Sequence, residues 1–301
     1  MTTAPDPRFV IETVGISGVV DVQPVGGGMS GAILWRVRRE EAGTDLLLRL
    51  FPHSDMPTVQ HEAAVQRRAL DGGVTTPRIE FVGTVAGCPT IVMEWLAGRT
   101  MLNVMADDPD QAEGLGLASG QLLRQIHELP DIADLAGGGN FRYRLAGVEP
   151  WLIERISTGA REPTTTHLDY HPSNLLVDDH GNLSVLDWTN ASVGDPLIDL
   201  GRTFAFLQFG AALYAESIAR DAMDAWWRGL VAGYGAEDRT IDELAPFFAF
   251  GLVTLVNDRL GTQDDGVLDD GVLDDAVPDD AVQALISQRD SWLSLARAGS
   301  N

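Results

Sequence analysis

The 301-residue chain contains a single cysteine, Cys88. One cysteine cannot form a disulfide within a chain or supply a multi-cysteine zinc site, so both kinds of site are excluded. Long apolar runs are lacking as well. The two longest, residues 203–215 and 245–256, are too short to cross a bilayer and are interpreted as buried helices.

Basic residues are scarce. The chain has 21 Lys and Arg against 44 Asp and Glu, a formal net charge of −23. This balance argues against nucleic acid or an anionic membrane as the main partner. It would suit a cationic small molecule, although solubility alone also accounts for it. Residues 1–13 lack the basic segment and apolar core of a signal peptide, so a cytoplasmic location is expected.

The apolar pattern changes about a third of the way along the chain. Alternating or short apolar runs predict strands at residues 19–25, 32–38, 46–51, 77–85 and 89–94. Thr58 is the predicted N-cap of one helix, which runs to about residue 70. Later residues are mainly helical, with predicted helices at 110–128, 149–158, 198–220, 221–234, 241–260 and 281–297. We therefore expect an N-lobe of residues 1–96 and a C-lobe of residues 97–301.

Residues 264–280 are dominated by a five-residue repeat with an Asp pair in each unit. The period is too short for a solenoid, and the Asp pairs do not follow the EF-hand spacing. A solvated acidic loop is expected, with Ca²⁺ binding as a minor alternative.

A turn-rich hairpin is the most informative feature of the sequence. Two short apolar runs, residues 174–177 and 183–186, flank the segment DDHGN and predict two strands joined by a tight loop. Asn174 would start one strand and Asp187 would follow the other, close to Asp169. Hard cations such as Mg²⁺ prefer carboxylate and carbonyl oxygens and keep several waters, so the hairpin predicts a metal–phosphate site.

The N-terminal part supplies candidates for the rest of a phosphoryl-transfer site. Residues 26–31, GGGMSG, could cover a phosphate or form an ordinary hairpin turn. Arg49 lies on the third predicted strand and Glu62 on the following helix, where they could orient a phosphate or form a surface ion pair. Phosphoryl transfer depends on positioning and charge neutralisation, and its recurring parts occur here in order.

The sequence resembles the aminoglycoside phosphotransferase family, whose members share a two-lobed protein-kinase-like fold. Five segments carry the likeness over residues 19–200: GMS at 28–30, IVMEWL at 91–96, HLDYHPSN at 167–174, VLDW at 185–188 and GDPLIDL at 194–200. The fold that the resemblance implies is α+β. It has a small antiparallel-sheet N-lobe with one main helix and a larger, mostly helical C-lobe.

The resemblance implies a role for each matched residue. Asp169 would orient or deprotonate the acceptor hydroxyl. Asn174 and Asp187 would hold Mg²⁺ against the phosphates of ATP or another nucleoside triphosphate. A further set would bind the nucleotide: Gly28, Met29, Ser30, Arg49, Glu62, Glu94, Trp95 and Leu96. Within it, the amides of residues 28–30 would cover the phosphates and the backbone of residues 94–96 would hold the adenine.

The implied function is an ATP-dependent phosphotransferase that moves the γ-phosphate to a hydroxyl of a small molecule. Aminoglycosides come first as acceptors because the family is named for them and the chain is acidic, which makes antibiotic resistance a candidate role. Macrolides, choline-like amino alcohols and sugars are alternatives. No nucleic-acid or membrane partner is expected, and nothing indicates the oligomeric state.

Two residues depart from the family pattern. Arg49 stands where Lys is usual and keeps the charge on a longer, planar group. Leu168 replaces the usual Gly after the motif histidine, where a side chain could crowd the backbone or narrow the acceptor site. These departures support an alternative function, a kinase-like nucleotide- or ligand-binding module with little or no catalytic activity.

Several motif residues also have other interpretations. His167, Asp169 and His171 alternate and could form a metal-hydrolase site. We favour structural roles for the histidines, with the His167 ring bonded to nearby backbone and His171 helping to close the turn before Pro172. Asp195 and Asp199 are expected to cap the next helix.

Overall fold

The computed structural model describes residues 4–26, 32–40, 44–130, 132–135, 145, 147–157, 162–213, 220–260 and 279–299. The predicted nucleotide-loop residues Gly28, Met29 and Ser30 lie outside the described residues, as does the acidic repeat up to residue 278.

Five antiparallel strands form the N-terminal sheet in the spatial order β1-β2-β3-β5-β4. They are β1 Val19–Val25, β2 Ile33–Arg39, β3 Leu46–Leu50, β4 Ile79–Val85 and β5 Cys88–Glu94. Successive side chains of a strand point to opposite faces of the sheet, and both faces of β5 are buried. Val92 packs with helix α1 (Pro7–Thr13) on one face, and Ile91 and Met93 pack with helix α2 (Met56–Asp71) on the other.

Helix α2 starts earlier than the sequence predicts. The N-cap is Asp55 and not Thr58, because the Asp55 carboxylate accepts a hydrogen bond from the Thr58 amide at 2.8 Å. Pro57 fits the first turn, where its missing N–H leaves no helical bond unmade.

Helices dominate the chain after the sheet. They are α3 Met101–Asp107, α4 Ala112–His127, α5 Pro150–Ser157, α6 Leu197–Leu213, α7 Arg220–Tyr234, α8 Ile241–Leu260 and α9 Asp279–Ala298. The sequence predicts no helix at α3, a seven-residue element held by Met101 and Met105, one turn apart and both fully buried.

The predicted α+β class is confirmed, with an antiparallel sheet and one main helix before a mostly helical part. The division at residue 96 stays a prediction.

Glycines set the distance between α4 and α7. Gly116 and Gly120 on α4 face Gly229 and Gly233 on α7, and a Cβ at any of them would lie 2.0–2.2 Å from a backbone carbonyl oxygen. A side chain at these positions would therefore push the helices apart. This close contact fixes the end of α4, where His127 reaches the candidate site.

Two small sheets carry the site segments. One contains β6 (Arg99–Thr100), β8 (Leu175–Val177) and β9 (Leu183–Val185), and the other pairs β7 (Thr164–Thr166) with β10 (Ser192–Gly194). The predicted hairpin is confirmed as β8–β9, although Asn174 ends a 3₁₀ turn just before β8. The short strands β7 and β10 are not predicted from the sequence.

The chain segment that follows α2 contacts this hairpin and joins it to the N-terminal sheet. The Val185 amide donates to the Thr75 carbonyl at 2.8 Å, and the Trp188 indole donates to the Thr76 hydroxyl at 3.0 Å. The hairpin is thus held beside the sheet that carries Arg49. Within the described ranges, no helix is long and apolar enough to cross a membrane.

Candidate active site

Asp169 and Asn174 are in direct contact. Asn174 Nδ2 donates to Asp169 Oδ2 at 2.9 Å and to the Asp169 carbonyl at 3.0 Å. Because the amide nitrogen faces Asp169, the amide oxygen is on the other branch and can act as a cation ligand. The Asn174 carbonyl accepts from the Leu186 amide at 2.9 Å, which ties Asn174 to the residue before Asp187.

Asp187 leaves the hairpin in a left-handed conformation, with φ of 57°. Asp tolerates this region better than most residues. Its Oδ1 accepts from the Thr189 hydroxyl at 2.7 Å, and its Oδ2 lies 3.9 Å from Arg49 Nη2. Burial would raise the pKa of Asp187, but the Arg49 charge and the Thr189 hydrogen bond outweigh it and lower the pKa. The carboxylate is therefore ionised at neutral pH.

Arg49 and Glu62 form a buried ion pair, their side chains only 7% and 1% exposed. The surface-pair interpretation is therefore wrong. Burial raises the pKa of Glu62, and the Arg49 charge opposes that shift. The Arg49 guanidinium thus faces two acids, Glu62 from α2 and Asp187 from the end of the hairpin.

All 21 basic residues of the chain are arginine, and none is lysine. Arginine in place of lysine at position 49 therefore follows a usage that holds throughout the chain.

The residues predicted to hold adenine lie at the end of β5. The Glu94 amide donates to the Arg78 carbonyl at 2.9 Å and the Trp95 amide to the Asp45 carbonyl at 2.8 Å. The Leu96 amide, in contrast, has no acceptor in the part of the chain that the structure describes. Of the three amides, Leu96 is the one available to a ligand.

Leu168 has φ of 61°, and its side chain is fully buried in the core of the helical part. Its amide donates to Asp199 Oδ1 at 2.6 Å, and its carbonyl accepts from Arg202 Nε at 3.1 Å. These bonds hold a conformation that costs a non-glycine residue about 1–2 kcal/mol. Because the side chain points into the core, it does not narrow an acceptor cleft.

Asp199 anchors the loop that carries Asp169. The predicted capping role is correct for Asp195, which accepts from the Leu197 amide at 2.9 Å, but wrong for Asp199. The fully buried Asp199 carboxylate turns towards the loop and accepts from the His167 amide at 2.8 Å and from His127 Nε2 at 2.9 Å. Burial would raise the pKa of Asp199, but the bonds and charges of the two histidines lower it.

The structural role predicted for His167 is confirmed. His171 is also structural, but it caps the 3₁₀ turn that starts at Pro172 instead of closing a turn before it. His167 Nε2 lies 3.1 Å from the Leu186 carbonyl, and His171 Nδ1 accepts from the Ser173 amide at 3.3 Å. Burial lowers the pKa of His171, so its ring is neutral near pH 7. No three His, Cys, Asp or Glu side chains among the described residues form a metal cluster, so the metal-hydrolase alternative has no ligand set there.

Three side chains at the site are not identified from the sequence. Thr189 contacts Asp187 and Glu62, Arg202 bonds the Leu168 carbonyl, and His127 bonds Asp199. Only Arg202 has a sequence signal, because it follows Asp199 by three residues and so lies on the same face of α6.

We expect Leu168→Gly to be more stable than Leu168→Ala by about 1 kcal/mol. Both variants lose the buried side chain, but only alanine keeps the left-handed penalty of about 1–2 kcal/mol, which exceeds the roughly 0.5–1 kcal/mol entropy cost of glycine. Urea unfolding of both variants measures the difference. Leu117, exposed on α4, is the control position, where alanine should be the more stable. Greater stability of Leu168→Ala would contradict the strain assignment.

Comparison with known proteins relates the chain to a family of enzymes. The family model described as "Phosphotransferase enzyme family" (APH) matches residues 21–246. No curated protein sequence shows significant similarity to the chain.

Several solved structures share the fold. A thermostable mutant of aminoglycoside phosphotransferase APH(4)-Ia, in ternary complex with ADP and hygromycin B, has a TM-score of 0.62 at 14% identity, covering 98% of each chain. Amicoumacin kinase hAmiN, in complex with AMP-PNP, Ca²⁺ and Ami, has a TM-score of 0.63 at 12% identity, covering 96% of this chain and 93% of that one. Plasmodium vivax ethanolamine kinase has a TM-score of 0.61 at 11% identity, with coverages of 91% and 84%. At these identities the likeness is one of fold.

Proposed function

Because the chain belongs to the phosphotransferase enzyme family, we propose that it transfers the γ-phosphate of ATP, or of another nucleoside triphosphate, to a hydroxyl of a small molecule. One observation supports this most strongly: a cation, two metal-ligand candidates and a candidate base follow one another through short contacts. Arg49 lies 3.9 Å from Asp187, and Asn174 Nδ2 donates to Asp169 at 2.9 Å. The Leu186–Asn174 backbone bond of 2.9 Å joins these two pairs.

Asp187 and Asn174 suit Mg²⁺. They offer an ionised carboxylate and an amide oxygen, both partly exposed, and leave positions for water and phosphate oxygens. The bound ion would neutralise charge on the phosphates. The Asn174 bond to Asp169 would hold the metal ligand and the base in a fixed relation.

Asp169 is the proposed base. Asn174 engages its Oδ2, while Oδ1 accepts no hydrogen bond from the described residues and lies 3.7 Å from the neutral His171 ring. Oδ1 can therefore accept the proton of an acceptor hydroxyl as that oxygen attacks the phosphate. The anchoring bonds of Asp199 and Arg202 to the loop would limit the movement of Asp169 during this step.

The nucleotide would lie between the proposed N-lobe, residues 1–96, and the C-lobe, residues 97–301. Arg49 would contact a phosphate with guanidinium donors that Glu62 does not use. The Leu96 amide would donate to the adenine ring, and Glu94 and Trp95 would shape the adenine site. The amides of residues 28–30 would cover the phosphates. ATP supply is consistent with a cytoplasmic location.

A cationic acceptor suits the acidic chain, with its net charge of −23. Aminoglycosides and related antibiotics are the first candidates because the fold is shared with an aminoglycoside phosphotransferase that binds hygromycin B. Antibiotic resistance is then the proposed biological role. Amino alcohols follow, since an ethanolamine kinase also shares the fold.

A thermal-shift screen of nucleoside triphosphates with Mg²⁺ and of hydroxylated cationic compounds, followed by an ADP-release assay on the hits, tests this function. We expect Mg²⁺–ATP to raise the melting temperature and at least one hit to release ADP. No stabilisation by any nucleoside triphosphate would contradict the proposal. Stabilisation without turnover on any acceptor would favour a kinase-like binding module.

A further inference from the structure

Four side chains form a closed ring at the junction of β3, α2 and the segment after β9. Glu62 Oε1 pairs with Arg49, and Glu62 Oε2 accepts from the Thr189 hydroxyl at 2.8 Å. The same hydroxyl lies 2.7 Å from Asp187 Oδ1, and Asp187 Oδ2 lies 3.9 Å from Arg49. Thr189 is the only uncharged member of this ring, and it joins two carboxylates separated by 125 positions in sequence.

A threonine hydroxyl has one proton to donate. Two carboxylate oxygens within hydrogen-bond distance of Thr189 therefore compete for it. The competitors differ in exposure, since the Glu62 side chain is 1% exposed and the Asp187 side chain 25% exposed. Asp187 can exchange the hydroxyl for water or a cation, but Glu62 cannot reach water. An unsatisfied buried carboxylate oxygen is costly, so Glu62 depends more on the hydroxyl.

We propose that Thr189 is a positioning residue of the nucleotide site, and this inference rests on the proposed function. Its hydroxyl is shared between Asp187 and Glu62 in the absence of nucleotide and turns to Glu62 alone when Asp187 binds the metal ion. The turn frees an Asp187 oxygen for the metal ion and keeps Glu62 bonded. Glu62 in turn holds the Arg49 guanidinium towards the phosphates.

Thr189→Val tests this role because valine keeps the shape and loses the hydroxyl. Calorimetric titration with AMP-PNP and Mg²⁺ should give a Kd about tenfold weaker than that of the wild type, the loss of roughly one charge-assisted hydrogen bond. Thr189→Ser restores the hydroxyl and should bind within about twofold of the wild type. Wild-type affinity in a folded Thr189→Val protein would overturn the proposal.

Thr189→Cys covers the case in which the valine variant does not fold. A thiol is a weak donor, so the cysteine variant should bind AMP-PNP–Mg²⁺ several-fold more weakly than the serine variant. A purely structural role would lower the melting temperature of these variants and leave the Kd of the folded protein unchanged. Equal affinity of the serine and cysteine variants would overturn the positioning role.

A double-mutant cycle tests the Thr189–Glu62 hydrogen bond in the absence of nucleotide, with the free energy of unfolding measured in urea. Thr189→Val should lower the folding equilibrium constant at least about threefold more in the wild type than in Glu62→Gln, where the charged acceptor is gone. Additive effects would overturn the inference. A wild-type protein that binds no nucleotide would instead contradict the proposed function, so the two failures are distinguishable.

Discussion

Replacing Asp169 with asparagine is expected to lower kcat by about 10²–10⁴-fold and to change nucleotide affinity by less than about twofold. Asparagine has nearly the same shape, and its carbonyl oxygen can still accept from Asn174. It cannot take the proton of the acceptor hydroxyl. Asp169 is only partly buried, so the substitution should leave the fold intact. The rate of ADP release with a saturating acceptor measures kcat.

Asp179→Asn is the matched control for this prediction. Asp179 is exposed in the turn between β8 and β9, so the control makes the same change of charge in the same hairpin. Its kcat should stay within about twofold of the wild type. An Asp169→Asn protein that turns over as fast as Asp179→Asn would rule out the base role.

Asp187→Asn should weaken Mg²⁺-dependent binding of AMP-PNP by at least about 100-fold. Loss of a residue that only supports a metal ligand typically costs 10–100-fold in metal affinity, and loss of a charged ligand should cost no less. Asparagine is preferable to alanine here because it tolerates the left-handed backbone at φ of 57°. The variant should therefore stay folded, and calorimetric titration can measure the affinity.

The same titration in EDTA is the control for Asp187→Asn. Without the metal ion, the wild type and the variant should bind AMP-PNP with similar, weak affinity, because neither can use a metal bridge. If the variant keeps wild-type affinity in Mg²⁺, Asp187 is not a metal ligand and the hairpin serves another purpose.

Neither departure from the family pattern disrupts the site. Arg49 keeps the ion pair with Glu62 and also approaches Asp187, so the longer guanidinium is accommodated. Leu168 adopts a left-handed backbone, which the glycine usual at this position in the family would adopt freely, and its side chain enters the core. Both residues are therefore compatible with a catalytic site, and neither observation favours a purely binding role.

The parts of the site that could be predicted from sequence are local. Two apolar runs around DDHGN specify the β8–β9 hairpin, and this fixes Asn174 and Asp187 near each other whatever the rest of the chain does. Arg49 and Glu62 are identified as a pair because one strand and the next helix are adjacent in sequence and therefore in space.

The contacts that hold the segments of the site together join residues far apart in sequence. No regular spacing of residues therefore indicates them. Asp199 bonds the amide of His167 across 32 positions, and Thr189 bonds Glu62 across 127. Helix-capping chemistry gives Asp199 a plausible local role, and only the packing of α6 against the loop shows which partner the carboxylate takes. Similarly, the sequence shows that Leu168 replaces glycine but not where the side chain goes.

Phosphorus NMR of the wild-type reaction tests the central claim most directly. The protein is incubated with ATP, Mg²⁺ and the best acceptor from the thermal-shift screen, and the spectrum is followed over time. We expect ADP and a new phosphate monoester of the acceptor to appear in equal amounts, and neither to appear with Asp169→Asn over the same period. ADP with free inorganic phosphate only, or no ADP from a protein with both ligands bound, would contradict transfer of phosphate to an acceptor hydroxyl.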